Sequence, residues 1–355
     1  MAEQSDSPER EGIVRFAWTD LSSLRDAVGA TIGDDRYIAW QYDRNPLALA
    51  DRRPLFVHRR DGRVEGQVGA RLVRLKAGPA EVAAHWVTNL VVTPGSQKRG
   101  IGTALHRACA AETGIGLALD VSPAGERVLF REGAVCVGTV PMYIRVLSAA
   151  VMLEQRRVKW RKALAPLASC VLRVLDGRAA RLLRADPIRL VEVERFSAAA
   201  DEVWRDCAGH YPVLVRRDRA YLNWRFADDP FHRYRLFEVC RGADPIGVAV
   251  LRVGEWGGVA AGFVVDYLCA PRDAEALFAA CLEVLRDAGV AAVYCLHTNP
   301  VSTGMLRRLG FLRRGSGLRL LVCGEDGGSH VRDGSGWFVT LGDSNVDRPR
   351  PPPES

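Results

Sequence analysis

Two copies of one pattern restrict the folds open to this chain more than any other feature of its sequence. Asp35-Arg36-Tyr37-Ile38-Ala39-Trp40-Gln41-Tyr42, followed by Asn45-Pro46, recurs as Asp218-Arg219-Ala220-Tyr221-Leu222-Asn223-Trp224-Arg225-Phe226, followed by Asp229-Pro230. Both share a Tyr-x-x-Trp-x-aromatic frame. Each leads into an expected strand, a turn and a glycine: residues 55–57, Asp61-Gly62 and Gly66 in one, residues 236–239, Gly242 and Gly247 in the other. Later landmarks keep an offset of 177 residues: Pro94 with Pro271, Pro123 with Pro300, Gly133 with Gly310. A period this long excludes a solenoid and predicts a duplicated domain. Each half reads as helix, antiparallel strands, long strand, helix, strand and short helix, an α+β unit of about 150 residues.

Within the first copy, His85-Trp86-Val87-Thr88-Asn89-Leu90-Val91-Val92-Thr93-Pro94 reads as a strand, because β-branched and apolar residues run up to a proline that cannot extend a ladder. Gln97-Lys98-Arg99-Gly100-Ile101-Gly102-Thr103 follows, and Ala104, Leu105, Ala108 and Cys109 then have helical spacing. The glycines therefore lie at a helix N-terminus. Amide groups without intrahelical partners and a positive dipole end make such a place a phosphate cradle, and Gly100 and Gly102 let an anion approach the backbone. A dinucleotide-binding turn fits less well, since the third glycine and a following acidic residue are missing. A Walker loop is excluded, since no Gly-Lys-Ser/Thr follows.

Strand, proline, Gln97-x-x-Gly100-x-Gly102 and helix, in that order, resemble motif A of the GCN5-related N-acetyltransferase (GNAT) superfamily, whose loop binds the pyrophosphate of acyl-coenzyme A. The resemblance covers nearly the whole chain. It is nearer still to tandem-domain members associated with polysaccharide or secondary-metabolite clusters, through Tyr221-Leu222-Asn223-Trp224-Arg225 and Trp337-Phe338-Val339-Thr340-Leu341-Gly342-Asp343-Ser344. It implies two tandem GNAT-like mixed-sheet αβα domains joined by a basic helical linker. The expected boundaries are a flexible N-terminus at 1–12, an acyl-CoA-binding domain at 13–150, the linker at 151–187, a degenerate domain at 188–345 and a disordered tail at 346–355.

The second copy shows what this fold looks like without the cradle. Pro94 precedes Leu105 by 11 positions, but Pro271 precedes the matching Leu277 by only 6, and no glycine remains between them. Asp273 and Glu275 are expected to cap that helix and to repel a pyrophosphate. The first copy is thus expected to bind acetyl-CoA or another acyl-CoA, without a metal.

For transfer to an amine, the resemblance implies that Leu90, Val91 and Val92 pair with pantetheine and offer an N–H to the thioester oxygen. Gln97, Lys98, Arg99, Gly100, Ile101, Gly102 and Thr103 would hold the pyrophosphate. Asp120, after residues 117–119, and His85 are the candidate bases, and Asn89 a residue that orients substrate or water. Many family members place an acidic tyrosine four residues before the glycine that ends the last helix. Here Leu129 precedes Gly133 and Leu306 precedes Gly310. Tyr143 is the substitute candidate. Tyr37 and Trp40, three apart, read as a packed helix face.

The net charge of +7 would suggest nucleic acid, but it is local. Residues 156–185 hold nine basic side chains (Arg156, Arg157, Lys159, Arg161, Lys162, Arg173, Arg178, Arg181, Arg184) and one acid, Asp176. Leucines and valines at helical spacing, interrupted by Pro166 and Gly177, make this a pair of amphipathic linker helices. Nucleic acid is not expected as a partner. Nine cysteines without a Cys-x-x-Cys pair and seven scattered histidines give no disulfide or metal framework. No stretch of about 18 apolar residues and no signal-peptide core occur, so a cytoplasmic monomer or homodimer is expected. The leading expectation is an N-acyltransferase acting on a small-molecule amine, such as an amino sugar or secondary-metabolite amine. The alternatives are an aminoacyl-tRNA-dependent transferase of Fem-like type and an inactive acyl-CoA-binding scaffold.

Overall fold

The computed structural model describes residues 12–29, 32–49, 52–155, 161–298, 300–324 and 328–343. The expected flexible ends lie outside the described residues, apart from Gly12, and so do Arg156, Arg157, Lys159 and Ser344. The first half forms β1 (Gly12–Arg15), α1 (Leu21–Val28), α2 (Asp35–Ile38), β2 (Leu55–Arg60), β3 (Arg63–Ala77), β4 (Ala80–Val92), α3 (Ile101–Ala110), β5 (Gly116–Ala118), α4 (Pro123–Arg131), β6 (Val135–Thr139) and β7 (Met142–Val146). Helices α5 (Ala149–Gln155) and α6 (Arg161–Ala185) follow. The second half forms β8 (Arg189–Val193), α7 (Ala199–Cys207), β9 (Val213–Val215), α8 (Arg219–Leu222), β10 (Arg235–Arg241), β11 (Asp244–Trp256), β12 (Val259–Cys269), α9 (Ala274–Asp287), β13 (Ala292–Leu296), α10 (Pro300–Arg308), β14 (Leu312–Arg314), β15 (Arg319–Cys323), α11 (Gly328–Arg332) and β16 (Trp337–Phe338). None of the described helices is long and apolar enough to cross a membrane.

The sequence repeat is a structural repeat. Asp34 and Asp218 cap α2 and α8 with their carboxylates, and each helix continues as a π-helical turn, Ala39–Asp43 and Asn223–Ala227. The paired prolines open α4 and α10, where a fixed φ suits the first turn and no N–H is needed. Ser122 caps α4 by accepting the Gly125 N–H at 3.2 Å, which leaves Asp120 out of that role.

Two compact units result: residues 1–75, 81–137 and 320–332 in the first, and 76–80, 138–319 and 333–355 in the second. The first sheet runs β1-β2-β3-β4-β5-β15-β6 and the second β14-β7-β13-β12-β11-β10-β8. The first sheet also holds β9 and β16 off this path, so it takes β9, β15 and β16 from the second half of the sequence, and the second sheet takes β7 from the first half. β15 is antiparallel to β5 in the first sheet, and β7 is antiparallel to β13 and β14 in the second. Contiguous domains at 13–150 and 188–345 do not describe this exchange. The connections that carry it run side by side in the second unit, where the Val140 N–H donates to the Leu318 carbonyl at 2.9 Å. Every exchanged strand finds a full ladder partner, so the backbone groups are satisfied as well as in an unexchanged pair.

In the first unit α3 buries Ile101, Leu105 and Cys109 on Phe56, Val68 and Ala70. Since side chains alternate along a strand, Gln67, Gly69 and Arg71 face the other side of the sheet. Tyr42 lies against that side, so close that a Cβ at Gly69 would come within 1.9 Å of its hydroxyl. In the second unit α6 runs unbroken through Pro166 and Gly177, contrary to the expected interruption. Asp176 anchors it by accepting from Arg145 at 2.7 Å and Arg286 at 2.6 Å. Its Leu167, Val171 and Val174 are exposed rather than packed.

Candidate functional site

β4 pairs in parallel with β5 at only two rows, His85 with Gly116 and Trp86 with Leu117, yet it continues to Val92. From Val87 onward, its edge toward β5 has no ladder partner among the described residues. Two hydrogen bonds fix which groups face that edge. The His85 N–H donates to Ile115 on the β5 side at 3.0 Å, whereas the Thr93 N–H donates to Glu65 on the β3 side at 2.8 Å. Residues 85 and 93 would face the same way in a regular strand, so one residue is inserted between them. That residue is Asn89, whose φ is +52°. With the bulge there, the backbone groups of Leu90 and Val92 face the open edge, and their side chains pack toward α3.

Asp120 takes the position after β5 that matches Asn89 on β4. Each lies three residues beyond the last paired row, and Asp120 also has a positive φ, +61°. Only four non-glycine residues among those described are left-handed: Asp61 in a hairpin turn, and Asn89, Lys98 and Asp120, which border this split and the loop after it. Such conformations cost of order 1–3 kcal/mol each for residues with a Cβ and collect at functional sites. Asn and Asp tolerate the region better than most, which is the one sequence signal that could have marked the pair.

The loop after β4 turns through a 3₁₀ turn, Pro94–Ser96, then Lys98 at φ +63° and Gly100 at φ +81°. Gly100 caps α3 without any side-chain hydrogen bond, and the first intrahelical bond is Ala104 N–H to Gly100 at 3.0 Å. The Ile101, Gly102 and Thr103 amides accordingly have no intrahelical acceptor. Gln97 folds back, its Nε2 donating to the Val92 carbonyl at 3.2 Å, so the loop offers backbone rather than the Gln97 amide. Arg99 is 3.6 Å from Glu65, and Lys98 is exposed. A Cβ at Gly100 would meet nothing within 4 Å, and one at Gly102 would meet Val128 and Val92 only at 3.5 and 3.8 Å. Packing does not require glycine at 102.

The other candidates are placed differently. His85 is fully buried, with Nδ1 2.7 Å from the Thr113 hydroxyl and Nε2 against Gly116. Burial holds its pKa down at about 3, so it is a neutral core residue near neutrality. It sits five residues before Leu90, roughly 16 Å along the strand. Tyr143 belongs to the second unit, on β7 between β13 and β14, where its hydroxyl lies 3.5 Å from that of Thr303. Leu129 is wholly buried in a cluster with Ala118 and Leu321. Tyr37 is packed against Trp40 as expected, but its hydroxyl also accepts from Asn89 Nδ2 at 3.0 Å and so reaches the bulge.

In the second unit the equivalent place is built from the chain itself. At the offset of 177, Asn89 corresponds to Asp266 and Asp120 to His297. β12 likewise shifts register, between Val264 and Asp266. There Arg217, fully buried, donates to Asp266 at 2.9 Å and to Asp343 at 2.7 Å, and the Thr340 hydroxyl donates to Asp266 at 2.8 Å. Burial opposes the Arg217 charge, but the two carboxylates outweigh it and hold its pKa above the ordinary value. A Cβ at Gly342 would lie 3.1 Å from that of Asp266, so the segment Thr340 to Asp343 fills this split. Asp273 precedes α9 without capping it; its carboxylate takes Arg241 at 2.9 Å, and Glu275 pairs with Arg308, which corrects the expected self-capped helix.

No family model and no curated protein matches the chain. Among solved structures it is similar to N-myristoyltransferase of Saccharomyces cerevisiae with bound myristoyl-CoA, at TM-score 0.55 and 10% identity over 90% of this chain and 85% of that one. It is also similar to a GCN5-related N-acetyltransferase from Anabaena variabilis ATCC 29413, at TM-score 0.57 and 12% identity over 88% of this chain and 72% of that one. The protein therefore has the fold of the GCN5-related N-acetyltransferases. Two such units stand in tandem, with an open β4–β5 split and glycine loop in the first and a self-filled split in the second.

Proposed function

We propose that the first unit binds an acyl-CoA and transfers its acyl group to an amine. The observation that carries this reading is the conjunction of an unpaired β4 edge with a loop whose free helix N-terminal amides come directly after it. Pantetheine is itself an amide chain and would hydrogen-bond the Leu90 and Val92 backbone as an added strand, with Val91 turned toward β3. The pyrophosphate would rest on the amides of residues 99–103 beside Lys98 and Arg99. An outward N–H at Leu90, beside the bulge, would stabilise the oxyanion formed when the amine attacks the thioester carbonyl.

An alkyl amine is mostly protonated at neutral pH and must lose a proton to attack. Asp120, directly or through one water, is the group we assign to accept it, with Asn89 orienting the nucleophile. His85 has no part in this assignment, because it is buried and distant along β4. Collapse of the tetrahedral intermediate expels the coenzyme A thiolate, which with a thiol pKa of about 8.5 leaves without a tyrosine acid. The acceptor is a small-molecule amine in this reading, and the protein a cytoplasmic biosynthetic enzyme.

Isothermal titration with acetyl-CoA and longer acyl-CoAs, paired with a thiol-release assay over an amine panel, tests the proposal. Saturable binding at one site per chain is expected. Absence of binding for every acyl-CoA would overturn it, and binding without thiol release would leave only an acyl-CoA-binding scaffold.

A further inference from the structure

Gln41 is the residue the mechanism leaves unused. It sits in the π-helical turn Ala39–Asp43 of the first unit, is 0% exposed, and neither its Oε1 nor its Nε2 has a hydrogen-bond partner. A buried carboxamide with both ends unsatisfied is destabilising, and a leucine of similar volume would remove that cost. Its counterpart in the second copy suggests what such a position can hold. Tyr37, Trp40, Gln41 and Tyr42 align with Tyr221, Trp224, Arg225 and Phe226, all within matching π-helical turns. Arg225, also 0% exposed, donates through Nε to the carbonyl of Gly342 at 3.1 Å. Gly342 in turn lies against Asp266, the counterpart of Asn89, and against the ring of Phe226.

The second copy therefore holds a peptide unit between the positions of Gln41 and Asn89. Arginine only donates, and it meets a carbonyl. Glutamine both donates and accepts, so the group that satisfies it must offer an acceptor and a donor together, as a carboxamide does. A carboxylate would leave Oε1 unpaired, an alkyl group would leave both ends unmatched, and a single hydroxyl cannot meet both ends with good geometry, whereas one planar carboxamide does. Resting on the acyl-transfer reading above, we propose that Gln41 binds a carboxamide of the acceptor. The substrate class is then an amine with a neutral amide within one residue's length of the nitrogen, an α-amino amide or peptide-like amine. Tyr37, four residues before Gln41, accepts from Asn89 Nδ2 at 3.0 Å, so this segment reaches the bulge of β4.

The test compares glycinamide with isobutylamine, which has the same heavy-atom shape without the amide, and with glycine, which has a carboxylate. The kcat/KM ratio of glycinamide to isobutylamine is measured in the wild type and in Gln41→Leu. Taking the ratio between the two proteins cancels the difference in amine basicity. Loss of two hydrogen bonds predicts that Gln41→Leu lowers this ratio about 10- to 100-fold, with acetyl-CoA affinity unchanged. An unchanged ratio would overturn the proposal and reduce Gln41 to a residue that holds buried water. Saturation-transfer NMR of glycinamide on the CoA complex reads binding without turnover. A signal in the wild type that disappears in Gln41→Leu supports the proposal, and equal signals, or none in the wild type, overturn it. Failure of acetyl-CoA and of every longer acyl-CoA to bind the wild type would refute the acyl-transfer reading itself, which separates the two.

Discussion

Gly102→Asp should make the protein more stable and unable to bind its donor. Position 102 is the second helical residue of α3, after Gly100 and Ile101, and its φ is not in the left-handed region. A new Cβ meets Val128 and Val92 at ordinary van der Waals distance, 3.5 and 3.8 Å. Replacing a helical glycine recovers about 0.5–1 kcal/mol against alanine, a little less for aspartate. A carboxylate in the first turn adds about 0.3–1 kcal/mol through the helix dipole. The sum, about 0.5–1.5 kcal/mol, corresponds to a Tm rise of roughly 0.7–2 °C for a chain of 355 residues. Against a pyrophosphate roughly 5 Å away the same carboxylate costs about 1 kcal/mol per charge in a water-like medium and about 3 kcal/mol at an effective dielectric constant of 20. Two phosphate charges then weaken binding by about 30-fold to about 20,000-fold. Calorimetric titration with acetyl-CoA and a thermal melt on the same preparation read both signs, with Gly102→Ala as the control that keeps affinity within a few-fold. Wild-type affinity in a stable Gly102→Asp protein would refute the pyrophosphate assignment.

The remaining expectations concern the base, the core and the second copy. Asp120→Asn should lower kcat by about 10²–10⁴-fold while acetyl-CoA affinity changes less than two-fold, measured by thiol release and titration; a wild-type rate would remove Asp120 from the mechanism. His85, with its pKa held at about 3 by burial, stays neutral in the folded protein, whereas the unfolded chain protonates it below about 6.5. Its contribution is therefore complete above pH 6.5 and lost as pH falls toward 3, up to about 4–5 kcal/mol, and His85→Gln should flatten the acid limb of a urea-unfolding series. Arg217→Met strands Asp266 and Asp343 as buried carboxylates and should cost about 3–5 kcal/mol in the same assay, while folded protein still binds one acyl-CoA.

Some features were legible because one residue type alone fits the local geometry. Gly100 needs its left-handed φ, the paired prolines open helices of matching length, and Asp34 and Asp218 are N-caps that recur with the aromatic frame. The exchange of β7 and β15 had no such signal, because a strand carries the same alternation whichever sheet receives it. Pro166 and Gly177 misled for a related reason: their local cost is overridden by the Asp176 ion pairs and the packing of α6 on α5 and α9. Gln41 was hidden inside a motif read as packing. Its neighbours Trp40 and Tyr42 do pack, and only the partners of the side chain between them set it apart.

The repeat supplies an internal control for the site as well as for the fold. Both copies break the same long strand at corresponding places, so the bulge alone does not define an acyl-CoA site. What differs is what satisfies the polar groups around it. In the second copy Arg217, Arg225, Asp266 and Thr340 are matched to the chain's own Gly342 and Asp343, in a network with no polar end left for a ligand on Arg217. In the first copy, leucine stands at 90 and glutamine at 41, the strand edge beyond Trp86 has no ladder partner among the described residues, and the loop amides have no intrahelical acceptor. Each buried polar group without a partner costs stability, so an unmatched pair such as the two ends of Gln41 calls for a physical reason. The two copies thus separate the strand break, which both possess, from the open strand edge and the glycine loop, which only the first possesses among the described residues.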